Sequence, residues 1–330
     1  MKVDNYTITI IIPTLNEELF IEQCIMSIKR QTYPFEQMEI LVVDGGSKDK
    51  TRTIVSALSV DYPNVQLLDN PHRYQSAAFN IGVNHSSTKY IIRLDAHATY
   101  DTCYIERCIA ILEAHPEYGN VGGICEIKPQ NESLIARTNA LLNHLRFGIG
   151  GAAFRIADKA QRVDSVPFGA FRKDIVEQIG GMREDLARGE DNEYNSRIRR
   201  AGYTVWLDPG IRSTYYARGT WVTSCKQMYA NGVSIGQLFY VDRAAIRLRH
   251  LVPLTFVLAV IGAISIGCFT LYGWFLLAAI LGSYLVAAIY ADIDACRKYG
   301  WEYLFILPPM FLSIHLSYGV GTMVGLIKRQ

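Results

Sequence analysis

The sequence predicts an α/β fold with a mainly parallel sheet, followed by helices that cross a membrane. Short apolar runs alternate with segments of helical spacing through residues 7–127. This pattern is typical of parallel strands joined by helices that cover both faces of the sheet. From Leu251 to Ala291 the chain has no charged residue, about twice the roughly 20 residues that one spanning helix needs. We therefore expect a soluble domain over residues 1–240 and a membrane domain over 241–330.

The composition argues against a nucleic-acid-binding or disulfide-rich protein. The 330 residues are 50% hydrophobic and carry a formal net charge of only +2, so the overall charge indicates no nucleic-acid partner. The seven cysteines include no C-x-x-C pair, which argues against a structural zinc site and favours reduced thiols. No secretory signal is recognised, so we expect the first part of the chain to stay in the cytosol.

The elements of the soluble part follow from residue patterns. Apolar runs of strand length are TITIIIP, EILVVD, VQLLDN and YIIRLD. Helical spacing follows the first three strands, in NEELFIEQCIMSIKRQ, SKDKTRTIVSAL and QSAAFNIGV, with Ser47 as a candidate cap of the second helix. Ligands bind at the carboxyl ends of strands in such sheets. The polar residues found there are therefore candidates for one shared site.

Three apolar segments are predicted in the membrane domain. Tyr272-Gly273 offers a turn inside the uncharged stretch, so we expect a helical hairpin over residues 251–271 and 274–291. A third uncharged segment covers residues 303–327, and Pro308-Pro309 is expected to interrupt it.

Positive charges around these segments indicate their orientation. Arg243, Arg247 and Arg249 precede the first span, which places this flank in the cytosol by the positive-inside tendency. Lys328 and Arg329 follow the third segment and conflict with a simple third crossing. Either the last segment re-enters or lies in the interface, or the tendency fails here.

Several motifs together resemble one enzyme family. They are IIPTLNEE, LVVDGGSKDKT, NIGV, RLDAHA, VPFGAFR and RGEDNEYNSRIRRAGY. In order and spacing they resemble the family 2 glycosyltransferases with the GT-A fold, and most closely the membrane-attached, succinoglycan-type exopolysaccharide transferases of bacteria. The resemblance covers about residues 7–240 plus the hydrophobic tail. It implies a GT-A nucleotide-diphospho-sugar transferase fold.

The resemblance also implies roles on the donor side. Asp44 would contact the uracil of a UDP-sugar, with turn chemistry alone as the alternative. Glu17 would help to bind the nucleotide or would simply favour a helix start. Arg73 would meet the donor phosphates or be a solvated loop charge. The expected donor-binding residues are Pro13, Thr14, Asn16, Glu17, Asp44, Gly46, Ser47, Arg73, Asn80 and Asp95.

The run IIRLDAHATY, residues 91–100, ends a predicted buried strand with Asp95 and His97, which a strand would point to one face. The family usually carries Asp-X-Asp here, which holds Mg²⁺ or Mn²⁺ against the donor diphosphate and stabilises the leaving charge. Imidazole suits transition metals better than Mg²⁺. We therefore expect Mn²⁺, or less favourably Mg²⁺, at Asp95 and His97. Alternatively, His97 donates a hydrogen bond to a phosphate.

On the acceptor side, the resemblance implies that Asp191, in the sequence Gly-Glu-Asp, is the general base that takes the proton of the acceptor hydroxyl. Acids at a helix start are the alternative. Phe168, Gly169 and Glu190 are expected on the same side, with core packing as the alternative for the first two.

The function implied is an inverting glycosyltransferase of the bacterial inner membrane with a cytoplasmic catalytic domain. It would move a sugar from a UDP-sugar to a polyprenyl-diphosphate-linked glycan in exopolysaccharide or capsule-type biosynthesis. Membrane lipid and polysaccharide-assembly proteins are further expected partners. The nearest alternative is a transferase whose acceptor is a bare polyprenyl phosphate, which needs no base. A non-catalytic scaffold that binds nucleotide sugars is the alternative from another class.

Overall fold

The computed structural model describes residues 6–149, 151–186, 188–217 and 219–328. The chain divides into two compact units. The first comprises Met1–Glu126 with Ile156–Tyr215, and the second Ile127–Arg155 with Tyr216–Gln330. This division differs from the predicted boundary at residue 240, because two segments before that boundary cluster with the C-terminal helices. The catalytic role of residues 1–240 stays a prediction.

The strands of the described residues form one sheet of nine strands, in the order β3-β2-β1-β4-β8-β6-β9-β5, with β7 paired to β9. Their bounds are β1 Ile8–Thr14, β2 Met38–Asp44, β3 Val65–Asp69, β4 Tyr90–Arg93, β5 Ala98–Tyr100, β6 Tyr118–Pro129, β7 Gln161–Arg162, β8 Ala170–Arg172 and β9 Thr204–Ala217.

The first four strands are parallel, as predicted. β1 pairs with β2 and β4, and β2 pairs with β3. Every residue of β1 and β2 is buried, which means that both faces of the sheet are covered, since successive side chains point to opposite faces. The register aligns Thr14 with Asp44, and Asp44 with Asp69. Three strands therefore end at one edge.

Four pairings in the rest of the sheet are antiparallel. β8 lies between β4 and β6, antiparallel to both, and β5 and β7 pair antiparallel with β9. The α/β fold is therefore mixed in direction, with its parallel half in the first 93 residues. The additional strands are short or irregularly patterned, which is why apolar alternation had not indicated them.

The α-helices of the described residues are α1 Ile21–Lys29, α2 Thr51–Asp61, α3 Gln75–His85, α4 Tyr104–Ala114, α5 Leu134–Leu142, α6 Ala153–Ile156, α7 Lys173–Ile179, α8 Glu190–Arg200, α9 Trp221–Val241, α10 Leu248–Gly267, α11 Leu271–Tyr299 and α12 Leu307–Ile327. Short 3₁₀ helices lie at Phe35–Gln37, Arg243–Ala245 and Trp301–Tyr303. The prediction that Ser47 caps α2 is wrong. The helix begins at Thr51, and the Ser47 hydroxyl donates its hydrogen bond to Asp44 instead.

Among the described residues, three helices are long and apolar enough to cross a membrane: α10, α11 and α12. The turn between α10 and α11 precedes the predicted Tyr272-Gly273, because Gly273 lies inside α11, where a side chain would collide with Gly267 of α10. Pro308 and Pro309 do not interrupt the third segment. They stand in the first turn of α12, where a missing N–H removes no helical hydrogen bond.

Candidate active site

Asp44 lies at the end of β2 with its carboxylate surrounded by donors. Its Oδ2 accepts from the backbone N–H groups of Gly46 and Ser47, each at 3.0 Å, and Oδ1 accepts from the Ser47 hydroxyl. Gly46 has φ +83°, a backbone conformation that favours glycine. Burial by itself raises the pKa of Asp44, but the hydrogen bonds from Ser47 and Arg52 outweigh it and lower the pKa. Asp44 is therefore held as an anion.

Arg52 was not predicted and joins two strand ends. Its Nη1 donates to Asp44 Oδ2 at 2.9 Å and to Asp69 Oδ1 at 2.8 Å. The Asp44 side chain is 0% exposed, whereas that of Asp69 is 79% exposed. Arg52 stands in the first turn of α2, and only the pairing of β2 with β3 brings Asp69 within its reach.

The loops after β1 and β2 are joined by hydrogen bonds in both directions. The Asn16 N–H donates to Ser47 Oγ at 2.8 Å, and the Lys48 N–H donates to Asn16 Oδ1 at 2.9 Å. The Glu17 N–H donates to Thr51 Oγ1 at 2.8 Å. Asn16 has φ +57°, which asparagine tolerates better than most residues. The structure therefore brings Asn16, Glu17 and Ser47 together, as the shared-site prediction requires.

Pro13 and Thr14 form the buried end of β1 beside these loops. The Thr14 hydroxyl donates to the carbonyl of Ile12 at 2.9 Å, and the Thr14 carbonyl accepts from Gly45 N–H at 2.8 Å. Thr14 thus fixes the junction of the two strand ends.

Glu17 and His97 meet across the first and fourth strand ends. His97 Nδ1 lies 2.9 Å from Glu17 Oε1, and a carboxylate oxygen is an acceptor, so Nδ1 donates in this contact. The ring also packs edge-on against Tyr215, with centroids 5.3 Å apart. The glutamate therefore orients the imidazole, through a contact that the sequence did not indicate.

Arg93 is a second unpredicted residue, and it connects three elements. Its Nη2 donates to Gln75 Oε1 at 2.7 Å and to Asp95 Oδ1 at 3.3 Å. Its Nη1 lies 3.8 Å from Glu190 Oε1. Its backbone N–H donates to the carbonyl of Gly169 at 3.1 Å. One buried guanidinium therefore joins the starts of α3 and α8 to the end of β4.

Glu190 and Asp191 open α8 after Gly189, which has φ +76°. Asp191 Oδ1 accepts from the Asn192 N–H at 2.8 Å. Burial, reinforced by the neighbouring Asp191 charge, raises the pKa of Glu190, while Arg93 opposes this shift. The two adjacent acids thus have unlike surroundings, and Glu190 is the one that faces Arg93.

Phe168 and Gly169 are buried next to these groups. The Phe168 ring packs edge-on against Tyr100 at 5.5 Å, and its carbonyl accepts from Tyr104 Oη at 2.7 Å. A Cβ at Gly169 would collide with the side chain of Asn120. Core packing, which the sequence left open for both residues, is what the structure displays, and their acceptor role stays a prediction.

Asn120 also supports the start of α8. Its Nδ2 donates to Asn195 Oδ1 at 2.7 Å, and Asn195 Nδ2 donates to the carbonyl of Asp191 at 2.9 Å and to Ser165 Oγ at 3.1 Å. This buried amide network holds the turn that carries Glu190 and Asp191.

Arg73 and Asn80 have other surroundings. Arg73 is exposed, with φ +66°, and its backbone approaches Gly45. Asn80 is used within the protein, because its Oδ1 accepts from Met182 N–H at 2.7 Å and its Nδ2 donates to the Met182 carbonyl at 2.8 Å. These contacts place Asn80 as a clamp on the loop before α8 and give no support to a donor contact.

Comparison with known proteins identifies the class of enzyme. The family model "Glycosyl transferase family 2" matches residues 9–180. The chain belongs to this family and is a glycosyltransferase. It is 30% identical over 269 residues, 80% of each chain, to the succinoglycan biosynthesis protein ExoA of Rhizobium meliloti.

A second relative is archaeal and matches nearly the whole chain. It is the dolichyl N-acetyl-α-D-glucosaminyl phosphate 3-β-D-2,3-diacetamido-2,3-dideoxy-β-D-glucuronosyltransferase of Methanococcus voltae, 27% identical over 97% of both chains.

Solved structures agree on the fold. The mannosyltransferase PcManGT of Pyrobaculum calidifontis, in complex with GDP-Man and Mn²⁺, superimposes with a TM-score of 0.62 at 19% identity, over 98% of this chain and 88% of its own. TarS of S. aureus, residues 1–349 in complex with UDP, gives a TM-score of 0.51 at 13% identity, over 96% and 90%. These likenesses show the GT-A fold.

Proposed function

We propose that the protein is an inverting glycosyltransferase that moves a sugar from a UDP-sugar to a polyprenyl-diphosphate-linked glycan. The observation that carries the proposal is the position of Arg93, which lies 3.3 Å from Asp95 and 3.8 Å from Glu190. It links the strand end assigned to the donor with the acid pair assigned to the acceptor. Attack on an anomeric carbon requires donor and base to be held within reach of each other.

The nucleotide is assigned to the edge formed by Asp44, Asn16 and Ser47. The network around Asp44 fixes its carboxylate, and a fixed acceptor discriminates between bases through directional hydrogen bonds. In this assignment Asp44 accepts a hydrogen bond from a nucleobase N–H and gives up one of its present hydrogen bonds in exchange. The Arg52 side chain is 40% exposed, so we expect the Arg52 contact to be the one that is exchanged.

We assign a divalent metal to Asp95 and His97, which follow β4. Glu17 holds Nδ1 of His97, the arrangement in which a carboxylate orients a metal-binding histidine through its other ring nitrogen. Within the described residues no group of three or more His, Cys, Asp or Glu side chains forms a ready metal site. Asp95 and His97 would thus supply two ligands beside diphosphate oxygens. Bound there, Mn²⁺ or Mg²⁺ would neutralise charge on the leaving diphosphate.

Asp191 is assigned as the general base. The Asn195 amide holds its backbone carbonyl, and its position at the start of α8 places a carboxylate on a rigid element. This carboxylate takes the proton of the acceptor hydroxyl as the hydroxyl oxygen attacks the anomeric carbon. Glu190, held by Arg93, positions the turn from which Asp191 acts.

The acceptor class rests on the relatives and on the membrane helices. One relative is named for succinoglycan biosynthesis, and the other for a sugar carried by dolichyl phosphate. Both names fit a lipid-linked glycan and a sugar hydroxyl as the nucleophile. The apolar helices α10 and α11 would attach the enzyme to the bacterial inner membrane, with the catalytic domain cytoplasmic and polysaccharide-assembly proteins nearby.

The test is a screen of UDP-sugars against extracted membrane lipids, with full-length protein and mass spectrometry of the products. We expect one UDP-sugar to be consumed and one lipid-linked glycan to gain one sugar. Transfer to bare polyprenyl phosphate would favour the alternative acceptor. If the protein bound nucleotide sugars but released no UDP with any lipid of the extract, the non-catalytic scaffold would be favoured. Turnover of a GDP-sugar instead would overturn the donor assignment.

A further inference from the structure

We infer that α12 lies against the membrane interface with both of its ends on one side, so that the chain crosses the bilayer twice. The inference rests on the proposed membrane attachment through α10 and α11. It goes beyond that proposal, because length and apolar composition alone admit α12 as a third span. The partner surface is the headgroup region of the lipid leaflet that faces the starting end of α10.

The hairpin gives a reference for depth. α10 and α11 are antiparallel: Gly267 and Gly273 approach closely at the tip, and the rings of Phe256 and Tyr284 stack at 4.7 Å further down. The first residue of α10, Leu248, and the end of α11 therefore lie at the same end, which we call the base. At the tip, Phe269 is 88% exposed, as expected of an aromatic side chain at a membrane–water interface.

The beginning of α12 lies at the base. Leu307 and Met310 are fully buried in a cluster with Ala295 and Cys296, from the last part of α11. Further along, His315 Nδ1 lies 2.9 Å from Tyr284 Oη. A helix that continued through the bilayer would next approach the tip of the hairpin.

Instead, the second half of α12 turns to the beginning of α10. A Cβ at Gly319 would collide with the carbonyl of Pro253 and with the side chain of Val257, five and nine positions after Leu248 in the first half of α10. Tyr284, which His315 contacts, stacks on Phe256, eight positions or about 12 Å of helix after Leu248. Pro253 and Val257 bracket Phe256 along α10, so the contact of Gly319, four residues after His315, lies at the same level of the hairpin.

The end of α12 is fixed to α9. Gly321 and Gly325 pack directly on the α9 backbone at Tyr229 and Val233, a close approach of two helices that only glycine permits. At the last turn, Tyr240 Oη donates to the Leu326 carbonyl at 2.6 Å. Tyr240 stands just before the 3₁₀ turn that leads into α10.

Both ends of α12 are therefore at the base, one beside the end of α11 and the other beside the entry to α10. A crossing helix of this length, about 30 Å, would have its ends on opposite surfaces. The placement also removes the conflict in charge, because Lys328 then stays on the side of Arg247 and Arg249, where anionic headgroups attract all three.

The experiment labels cysteine thiols at two positions, the tip of the hairpin and the end of α12. Cys268 is native and exposed at the hairpin tip, and Cys103 and Cys225 are partly exposed elsewhere. In the full chain with Cys103→Ser and Cys225→Ser, labelling of Cys268 reports which side of the membrane the hairpin tip faces. Adding Cys268→Ser and Lys328→Cys moves the reporter to the end of α12. Each protein is treated with a membrane-impermeant maleimide in right-side-out and inside-out vesicles.

We expect Lys328→Cys to react from one side of the membrane and Cys268 from the other. Reaction of both from the same side would overturn the inference and make α12 a third crossing. The matched chain with all three serines and no new cysteine gives the background. Release of the protein from membranes by carbonate washing would instead contradict the proposed membrane attachment. Failure of the inference about α12 and failure of the proposed function are therefore distinguishable. UDP release by each variant verifies that it is folded.

Discussion

Arg93 Nη1 lies 3.8 Å from Glu190 Oε1, across the gap between the end of β4 and the start of α8. The same guanidinium reaches Asp95 at 3.3 Å, and the side chains of Arg93 and Glu190 are only 14% and 11% exposed. A buried positive charge thus lies between carboxylates assigned to the two substrates. We therefore expect Arg93 to act as a positioning residue.

Replacing Arg93 by methionine should destabilise the protein by about 3–5 kcal/mol, because partners of a broken buried ion pair remain in a poorly solvated site. Turnover should fall with it. Arg93→Lys is the matched control. It keeps the positive charge but loses the planar guanidinium group, so we expect it to restore stability more completely than turnover. Chemical denaturation and UDP release measure the two effects. Equal recovery of both by lysine would contradict the positioning role.

Asp191→Asn should lower turnover by about 10²–10⁴-fold, since the amide cannot take a proton during attack. Donor affinity should survive, because the residues assigned to the nucleotide are fixed by separate contacts at other strand ends. Calorimetry with UDP, beside UDP release with a lipid-linked acceptor, separates binding from chemistry. Unchanged turnover would remove Asp191 from the chemistry and favour a phosphate acceptor.

Asp44→Asn should weaken UDP binding and reduce stability at neutral pH. The pKa of Asp44 is lowered in the folded state, so its stabilisation is present above the ordinary aspartate range and is lost as pH falls through the lowered folded pKa. The variant should therefore lose stability at neutral pH but show less acid sensitivity. Denaturation across pH measures both.

Asp69→Asn is the control for Asp44, because Asp69 shares the Arg52 contact but its side chain is 79% exposed. An exposed ion pair contributes at most about 1 kcal/mol. Equal wild-type affinity for UDP, GDP and ADP would refute the base-reading role of Asp44.

His97→Asp should shift metal preference from Mn²⁺ towards Mg²⁺, because a carboxylate suits the harder ion. It also places a second carboxylate beside Glu17, which now contacts His97 at 2.9 Å. Without metal the variant should therefore be less stable, and Glu17→Gln should restore it. Reaction rates and melting temperatures of the variants, measured with Mn²⁺, with Mg²⁺ and without metal, test both expectations. Full wild-type activity in excess chelator would show that neither His97 nor Asp95 serves an essential metal.

Gly169→Ala should destabilise the protein by about 1–3 kcal/mol, the usual cost of overpacking a core, because the new methyl group meets Asn120. Turnover should fall as well, since Asn120 supports Asn195 and the turn of Asp191. Asn120→Ala in the same chain should relieve the clash. Additive losses in a double-mutant cycle, measured by denaturation, would contradict this coupling.

Much of the fold could be predicted from local patterns. The apolar runs at Ile8–Thr14 and Met38–Asp44 are strands buried on both faces, and continuous burial leaves a direct mark on the sequence. The uncharged stretch beginning at Leu251 covers most of α10 and of α11, because a helix that crosses a membrane needs about 20 apolar residues in succession. The later antiparallel strands left no such mark, because they are short or irregular and are defined by their partners.

What the sequence determined by itself is a set of candidate acids: Asp44 and Asp95 follow predicted strands, Asp191 stands at a predicted helix start, and each lies in a motif that resembles those of the family. What the tertiary structure decided is which groups meet. Glu17 lies 80 residues from His97, and Arg93 lies far along the chain from Glu190. Such contacts depend on strand register and on the burial of a charge, and neither leaves a periodic pattern. The same holds for α12, whose composition permits a crossing, while its packing on α9 and on the hairpin base places both of its ends on one side.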